Sequence, residues 1–123
     1  PQDANLLNQA RKSTEQLIDR LHTPGETKPR TYRKKAYKDY LALVRCRKPA
    51  AKKIRKAIGK QLSYLRRNLE SIEKQLQQGK SLTSAEQNRL IVIQKVYEQQ
   101  KYMYDNRTHS VPDRIVRKSR KTG

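Results

Sequence analysis

The chain has few of the residues that build a conventional globular core. Its 123 residues include no tryptophan and no phenylalanine, and 33% are hydrophobic, against roughly 45–50% in typical globular domains. The seven tyrosines must therefore supply all aromatic packing. This composition disfavours a large single core and favours long helices that bury narrow apolar stripes. High charge with low hydrophobicity is also typical of segments that order only with a partner.

Cysteine and histidine are scarce too. Cys46 is the one cysteine, which excludes an intrachain disulfide, and it forms no metal-binding spacing with His22 or His109. No apolar run approaches the roughly 18 residues of a transmembrane helix. The N-terminus lacks the basic start and apolar stretch of a signal peptide, and it lacks methionine. We therefore expect a cytoplasmic protein, and an excerpt of a longer chain.

Positive charge, in contrast, is concentrated in one segment. Residues 28–67 contain sixteen Lys or Arg residues and a single acid, Asp39, hence a net charge of +15 in a chain whose total is +19. Such a density repels itself, and it becomes favourable beside a polyanion whose phosphates release counterions. The basic residues alternate with helix-periodic apolar ones, which favours a nucleic-acid partner over a solvated or disordered basic surface.

Apolar periodicity predicts an all-α fold of four helices. They are expected at about residues 3–22, from about 31, at 49–78 and at 84–105. A basic tail over residues 106–123 lacks apolar alternation, and we expect it to be disordered outside a helical domain of residues 1–105.

Residues 49–78 and 84–105 are expected to form a long antiparallel helical hairpin, because the connection between them is short. Gly79 is a stop signal for the first of these helices, and Thr83 with Glu86 forms a capping box for the second. The longer helix carries a heptad seam, which the other helix or a second copy of the chain could cover. The seam consists of Ile58, Leu62, Leu65, Leu69, Ile72 and Leu76.

The candidate DNA-phosphate-binding residues are the basic residues of the second helix and of the first half of the third. They are Arg33, Lys34, Lys35, Lys38, Lys52, Lys53, Arg55, Lys56, Lys60, Arg66 and Arg67. Tyr32, Tyr37 and Tyr40 lie among them. Aromatic residues in basic surroundings can stack on bases, but packing with a solvated hydroxyl is the favoured interpretation.

Catalytic patterns do not emerge from the sequence. Neither histidine has a nearby nucleophile and orienting group, the eleven acids are scattered, and the four glycines never cluster into a phosphate-binding loop. We therefore expect no enzyme activity, no metal site and no cofactor in this chain alone.

Several runs, in this order and spacing, resemble bacterial insertion-sequence transposases of the DDE type. They are PQDANLLN (residues 1–8), YRKKA (32–36), KKIRKAI (52–58), YEQQK (97–101) and THSVPDRIV (108–116). The resemblance covers about residues 1–116. It implies an RNase H-like catalytic core in which three carboxylates hold divalent metal ions, Mg²⁺ above all, for DNA strand cleavage and joining.

By this resemblance the chain is a helical insertion after the first catalytic Asp. That Asp would precede Pro1, and the second Asp and the Glu would follow Val116, so no catalytic residue can be assigned here. Asp3 matches a non-catalytic Asp of the family. The basic residues 117–123 depart from the Ser/Gln/Pro stretch that the family has there, which indicates a truncated or frameshifted remnant, or an excerpt.

Three functions are thus open. The favoured one is a transposase insert that contacts DNA phosphates without sequence specificity, with DNA and the rest of the transposase core as partners. The second is a stand-alone helical DNA- or RNA-binding protein. The third is a coiled-coil interaction hairpin that pairs with itself through the heptad seam.

Overall fold

The computed structural model describes residues 2–106, and this part of the chain is all-helical, as predicted. The predicted tail lies outside the described residues, apart from Asn106, which ends the last helix. The four helices are α1 (Gln2–Leu21), α2 (Arg33–Val44), α3 (Ala51–Gln77) and α4 (Ser84–Asn106).

The turn between α3 and α4 has the predicted local chemistry. Gly79 has φ +99°, a left-handed conformation that a residue with a Cβ adopts at a cost. Its N–H donates to the carbonyl of Leu76 at 3.2 Å, while the N–H of Lys80 donates to the carbonyl of Gln75 at 3.3 Å. These two bonds satisfy the last carbonyls of α3 in a Schellman motif.

The capping box at the start of α4 is also confirmed. The backbone N–H of Thr83 donates to Oε1 of Glu86 at 2.9 Å, and the N–H of Glu86 donates to Oγ1 of Thr83 at 3.2 Å. Glu86 also forms an ion pair with Arg20 of α1. The same side chain therefore starts α4 and ties it to α1.

α3 and α4 form the predicted antiparallel hairpin, with Arg55 near the start of α3 against Tyr104 near the end of α4, and α1 adds a third helix to it. α1 packs on both α3 and α4 and runs antiparallel to α4, since Gln100 contacts Asp3 while Glu86 contacts Arg20. The core joins one stripe of α1 to the α3 seam and to α4. It consists of Leu7, Ala10, Leu17, Ile18, Leu21, Leu62, Leu65, Ile72, Leu82 and Ile93.

The same packing covers much of the α3 seam that a homodimer was expected to use. Leu62, Leu65 and Ile72 are at most 4% exposed, and the other three seam residues pack against this core. The seam is therefore covered mainly from within the chain, and Ile58, Leu69 and Leu76 remain partly exposed.

A buried polar cluster fixes α1 against α2 and α3. Arg11 is 1% exposed; its guanidinium donates to Gln61 at 3.0 Å and to Asn8 at 2.5 Å, and it forms an ion pair with Glu15. Gln61 in turn donates to the carbonyl of Ala36 at 3.0 Å. A buried charge needs such complete pairing, so this cluster favours one relative placement of the three helices.

α2 and α4 both pack on α3, but they do not contact each other within the described residues. α2 is held by its buried residues Ala36 and Leu43. The face of α3 between α2 and α4 is therefore left open as a groove.

Candidate nucleic-acid interface

The groove follows the first half of α3 and has a volume of about 830 Å³. Among the described residues its lining includes six basic side chains and no acid. They are Lys35 from α2, then Lys56, Lys60, Arg66 and Arg67 from α3, and Lys101 from α4. Three helices thus bring together cations that lie up to 66 positions apart in the sequence.

Most of this charge is not neutralised by ion pairs among the described residues. Four of the six cations form no ion pair within residues 2–106: Lys35, Lys56, Lys60 and Arg67. Arg66 approaches Glu70 at 3.6 Å, and Lys101 lies 3.0 Å from Asp105. Both pairs are exposed, and such pairs contribute about 0–1 kcal/mol. Phosphate can therefore replace either carboxylate at little cost.

The one acid of the basic segment is engaged beneath the groove. The hydroxyl of Tyr64 donates to Oδ2 of Asp39 at 2.8 Å. Burial, and then the hydrogen bond to Asp39, raise the pKa of Tyr64 to about 12. Tyr64 therefore stays protonated at neutral pH and keeps donating to this carboxylate, which does not line the groove.

Tyr104 closes the α4 side of the groove against Gly59 and Arg55. The Arg55 guanidinium carbon lies 4.0 Å from the centre of the Tyr104 ring, a cation–π contact, and Nη1 of Arg55 donates to the Tyr104 carbonyl at 2.8 Å. Arg55 thus braces α3 against α4. It was predicted to bind phosphate, and the structure places it half-buried in this contact.

Tyr32 stands at the end of the groove and has an unusual backbone. It precedes α2 with φ 56° and ψ 28° and forms no side-chain cap; this left-handed conformation costs a residue with a Cβ about 1–2 kcal/mol. Its side chain is 39% exposed. The guanidinium carbons of Arg30 and Arg67 lie 5.4 and 5.6 Å from its ring centre, and the neighbouring Arg30 is the main cause of a lowered Tyr32 pKa.

The positive field ends at Tyr32 and Arg67. Both residues also line a second depression farther along α3. Its lining includes the acids Glu70 and Glu73 as well as the basic residues Lys74 and Arg30. The second half of α3 therefore carries mixed charge, in contrast to its basic first half.

The structure brings together only part of the predicted phosphate-binding set. Five of the eleven residues line the groove: Lys35, Lys56, Lys60, Arg66 and Arg67. Lys34 lies instead in a separate depression beside Lys12, Glu15 and Tyr37. Lys38, Lys52 and Lys53 are exposed outside the groove lining.

Arg33 is held by a carboxylate of α1. Its Nη1 and Nη2 donate to Asp19 at 2.9 and 2.7 Å, and Lys28 pairs with the same carboxylate. The Arg33 hydrogen bond, supported by Lys28, lowers the pKa of Asp19 to about 2, and Asp19 raises the pKa of Arg33. This fork-shaped pairing competes directly with phosphate for the guanidinium.

Comparison with known proteins found no match for this chain. The chain matches no protein-family model, and no similar curated protein or solved structure was found. The resemblance to transposases therefore depends on the sequence runs alone.

The divalent metal ions that this resemblance implies find no site in the described part of the chain. No three His, Cys, Asp or Glu side chains converge there. None of the helices within residues 2–106 has the length and apolar character needed to cross a bilayer.

Sequence reasoning missed the part of the groove that α4 supplies. Tyr97, Lys101 and Tyr104 follow one another at spacings of four and three, which places them on one helical face. That pattern could have been noticed. Its position opposite the basic half of α3 depends on tertiary packing, which the pattern does not specify.

Proposed function

We propose that this chain binds the phosphate backbone of DNA through the basic groove and serves as the helical insert, or a remnant of the insert, of a DDE-type transposase. It positions DNA beside a catalytic core and does not itself catalyse strand transfer. The metal ions belong to that core, which is the second proposed partner.

The proposal of DNA binding rests on the lining of the groove. Among the described residues this lining contains six cations and no acid. Along α3 these charges extend from Lys56 to Arg67, about 16 Å at 1.5 Å per residue. Cations held this closely repel one another in the free protein. Phosphates relieve the repulsion and release their condensed counterions, so binding is favourable and strongly dependent on salt.

Binding of a labelled duplex, measured by fluorescence anisotropy between about 50 and 200 mM salt, tests this function. If all six groove cations neutralise phosphates, the slope of log K against log salt is near −5, at about −0.9 per phosphate. The paired variant Lys56→Ala with Lys60→Ala is expected to reduce the magnitude of the slope by about 2. A shuffled duplex should bind equally well, because phosphate contacts do not read sequence.

The matched control is Lys12→Ala with Lys34→Ala, which removes the same charge from the separate depression on the other side of α2. We expect this control to leave the slope unchanged. A salt-independent affinity, or equal losses in both double variants, contradicts binding through the groove.

The transposase part has a separate test in the flanking nucleotides. Coding sequence for the catalytic carboxylate segments on both sides, in any frame, supports the insert. Flanks without such segments leave a stand-alone nucleic-acid-binding protein.

A further inference from the structure

The groove has the volume of a small-ligand pocket, enough for part of one nucleic-acid strand to enter. Its roughly 830 Å³ falls within the range of about 300–1,000 Å³ that encloses a drug-sized ligand. The walls formed by α2 and α4 stand on either side of the α3 floor. A duplex can place one backbone at the rim, whereas a single strand can enter with its bases.

The lining alternates positive charge with aromatic rings. Lys56, Lys60, Ser63 and Arg67 recur at spacings of four, three and four along α3, so they form one polar stripe on the floor of the groove. Four tyrosines accompany the six cations: Tyr32, Tyr64, Tyr97 and Tyr104. Cationic grooves with aromatic rings are the means by which proteins hold single strands without sequence specificity.

Two of these four tyrosine side chains take part in contacts within the fold. Tyr64 is buried and donates to Asp39, and the Tyr104 ring is in contact with the Arg55 guanidinium. Tyr32 is the most exposed of the four.

The backbone conformation of Tyr32 also favours a ligand-binding role for its ring. Glycine or asparagine adopts φ 56° more readily than a bulky residue does, and the Tyr32 side chain supplies no cap for α2. The ring is not buried in the core; its contacts are with the guanidinium groups of Arg30 and Arg67, and it remains 39% exposed. Strained residues of this kind cluster at ligand-binding sites.

We infer that the groove holds an unpaired segment of DNA, with a base stacked on Tyr32 and the flanking phosphates on Lys60 and Arg67. This inference rests on the proposed function and specifies its substrate. The Arg67 guanidinium lies over the Tyr32 ring and lines the groove, so its transfer to the phosphate next to the base frees that face of the ring for stacking.

The test compares three labelled probes, with affinities expressed per nucleotide: a thymidine oligomer of about ten nucleotides, a stable blunt duplex, and the same duplex with an unpaired overhang. We expect the single strand and the overhang to bind about tenfold more tightly than the blunt duplex. Tyr32→Leu should remove most of this preference while the salt slope stays unchanged, because a ring and not a charge has been lost.

Tyr32→Phe should keep the preference, since the ring is retained. Tyr37→Leu is the matched control, because Tyr37 is 46% exposed and lies outside the groove beside Lys34. If Tyr32→Leu fails to fold, Tyr32→Asn makes the same test with a residue that tolerates the left-handed backbone.

The outcomes separate the two proposals. Equal affinity for single strand and duplex, or equal effects of the Tyr32 and Tyr37 variants, overturns the unpaired-strand inference and leaves phosphate binding intact. Absence of salt-sensitive binding to any of the three probes overturns both.

Discussion

The hydroxyl of Tyr104 lies 2.7 Å from the position that a Cβ at Gly59 would occupy. A glycine inside a helix weakens it by roughly 1 kcal/mol relative to alanine, so this glycine lowers the local stability of α3. The absence of a side chain at Gly59 lets the Tyr104 ring pack against α3, where the Arg55 guanidinium covers the ring. Gly59 is thus required by a close approach of two helices, a role that its place in the heptad does not show.

Gly59→Ala is expected to destabilise the protein despite its better helix propensity. The propensity gain of roughly 1 kcal/mol is smaller than the typical overpacking cost of about 1–3 kcal/mol, which leaves a net loss of about 1 kcal/mol. Urea denaturation measures the difference. In a Tyr104→Leu background the same change should instead be stabilising, and identical effects in both backgrounds would contradict the proposed contact.

Arg11→Met should lower the free energy of unfolding by about 3 kcal/mol. Removing one partner of a buried ion pair leaves an uncompensated charge, here the carboxylate of Glu15, which is 7% exposed. Gln61 and Asn8 also lose a donor. Adding Glu15→Leu to the Arg11→Met variant removes this unpaired charge and should restore part of the stability. The exposed neighbour supplies the control, since Lys12→Met is expected to change stability by less than about 0.5 kcal/mol.

Asp19 should contribute stability that disappears in acid. Its pKa is lowered from 3.8 to about 2, so the contribution is fully present above about pH 4 and is lost as the pH falls towards 2. Because the side chains of the pair are more than a third exposed, the effect is at most about 1 kcal/mol. Asp19→Asn should therefore be less stable than the parent at pH 7 and equally stable near pH 2.

The control for this titration is Glu70→Gln, since Glu70 has only a long contact of 3.6 Å with Arg66. Its free energy of unfolding at neutral pH should differ from that of the parent by less than about 0.5 kcal/mol. If the free energies of unfolding of Asp19→Asn and the parent differ by the same amount across pH 2–7, the stability does not come from ionised Asp19.

Arg33 and Arg67 should differ in their effects on DNA binding although both belong to the predicted set. Arg67 has no acidic partner within residues 2–106, so Arg67→Ala should reduce the magnitude of the duplex salt slope by about 0.9. Arg33 is paired with Asp19, so Arg33→Ala should leave the slope nearly unchanged and lower stability slightly at neutral pH. Anisotropy titrations at several salt concentrations distinguish the two, and a larger slope change for Arg33 contradicts the prediction.

The helices of the hairpin were predictable because their signals are local. Gly79, Thr83 and Glu86 act within a few residues of themselves, and the observed bounds of α3 and α4 follow the predicted ones closely. The docking of α1 was not predictable in the same way. Its cluster depends on Arg11 meeting Gln61 fifty positions later, and both residues resemble surface residues when considered in sequence alone.

The candidate site was predicted in part for the same reason. Charge density singled out α3, and four of its cations, Lys56, Lys60, Arg66 and Arg67, line the groove. It could not distinguish Lys34 from Lys35, which are adjacent in the chain but lie in different depressions. Nor could it include Lys101, which follows the basic segment by more than thirty positions.

The placement of α1 also sets the order in which the protein can assemble. Arg20 donates to the carbonyl of Ser81, 61 positions away, and Gln100 reaches Asp3 across 97 positions. At about 5–20 residues per second on the ribosome, α1 is made several seconds before α4. The apolar stripe of α1 can therefore pack on α3 first, and the contacts between α1 and α4 complete the fold only when the last helix has been made.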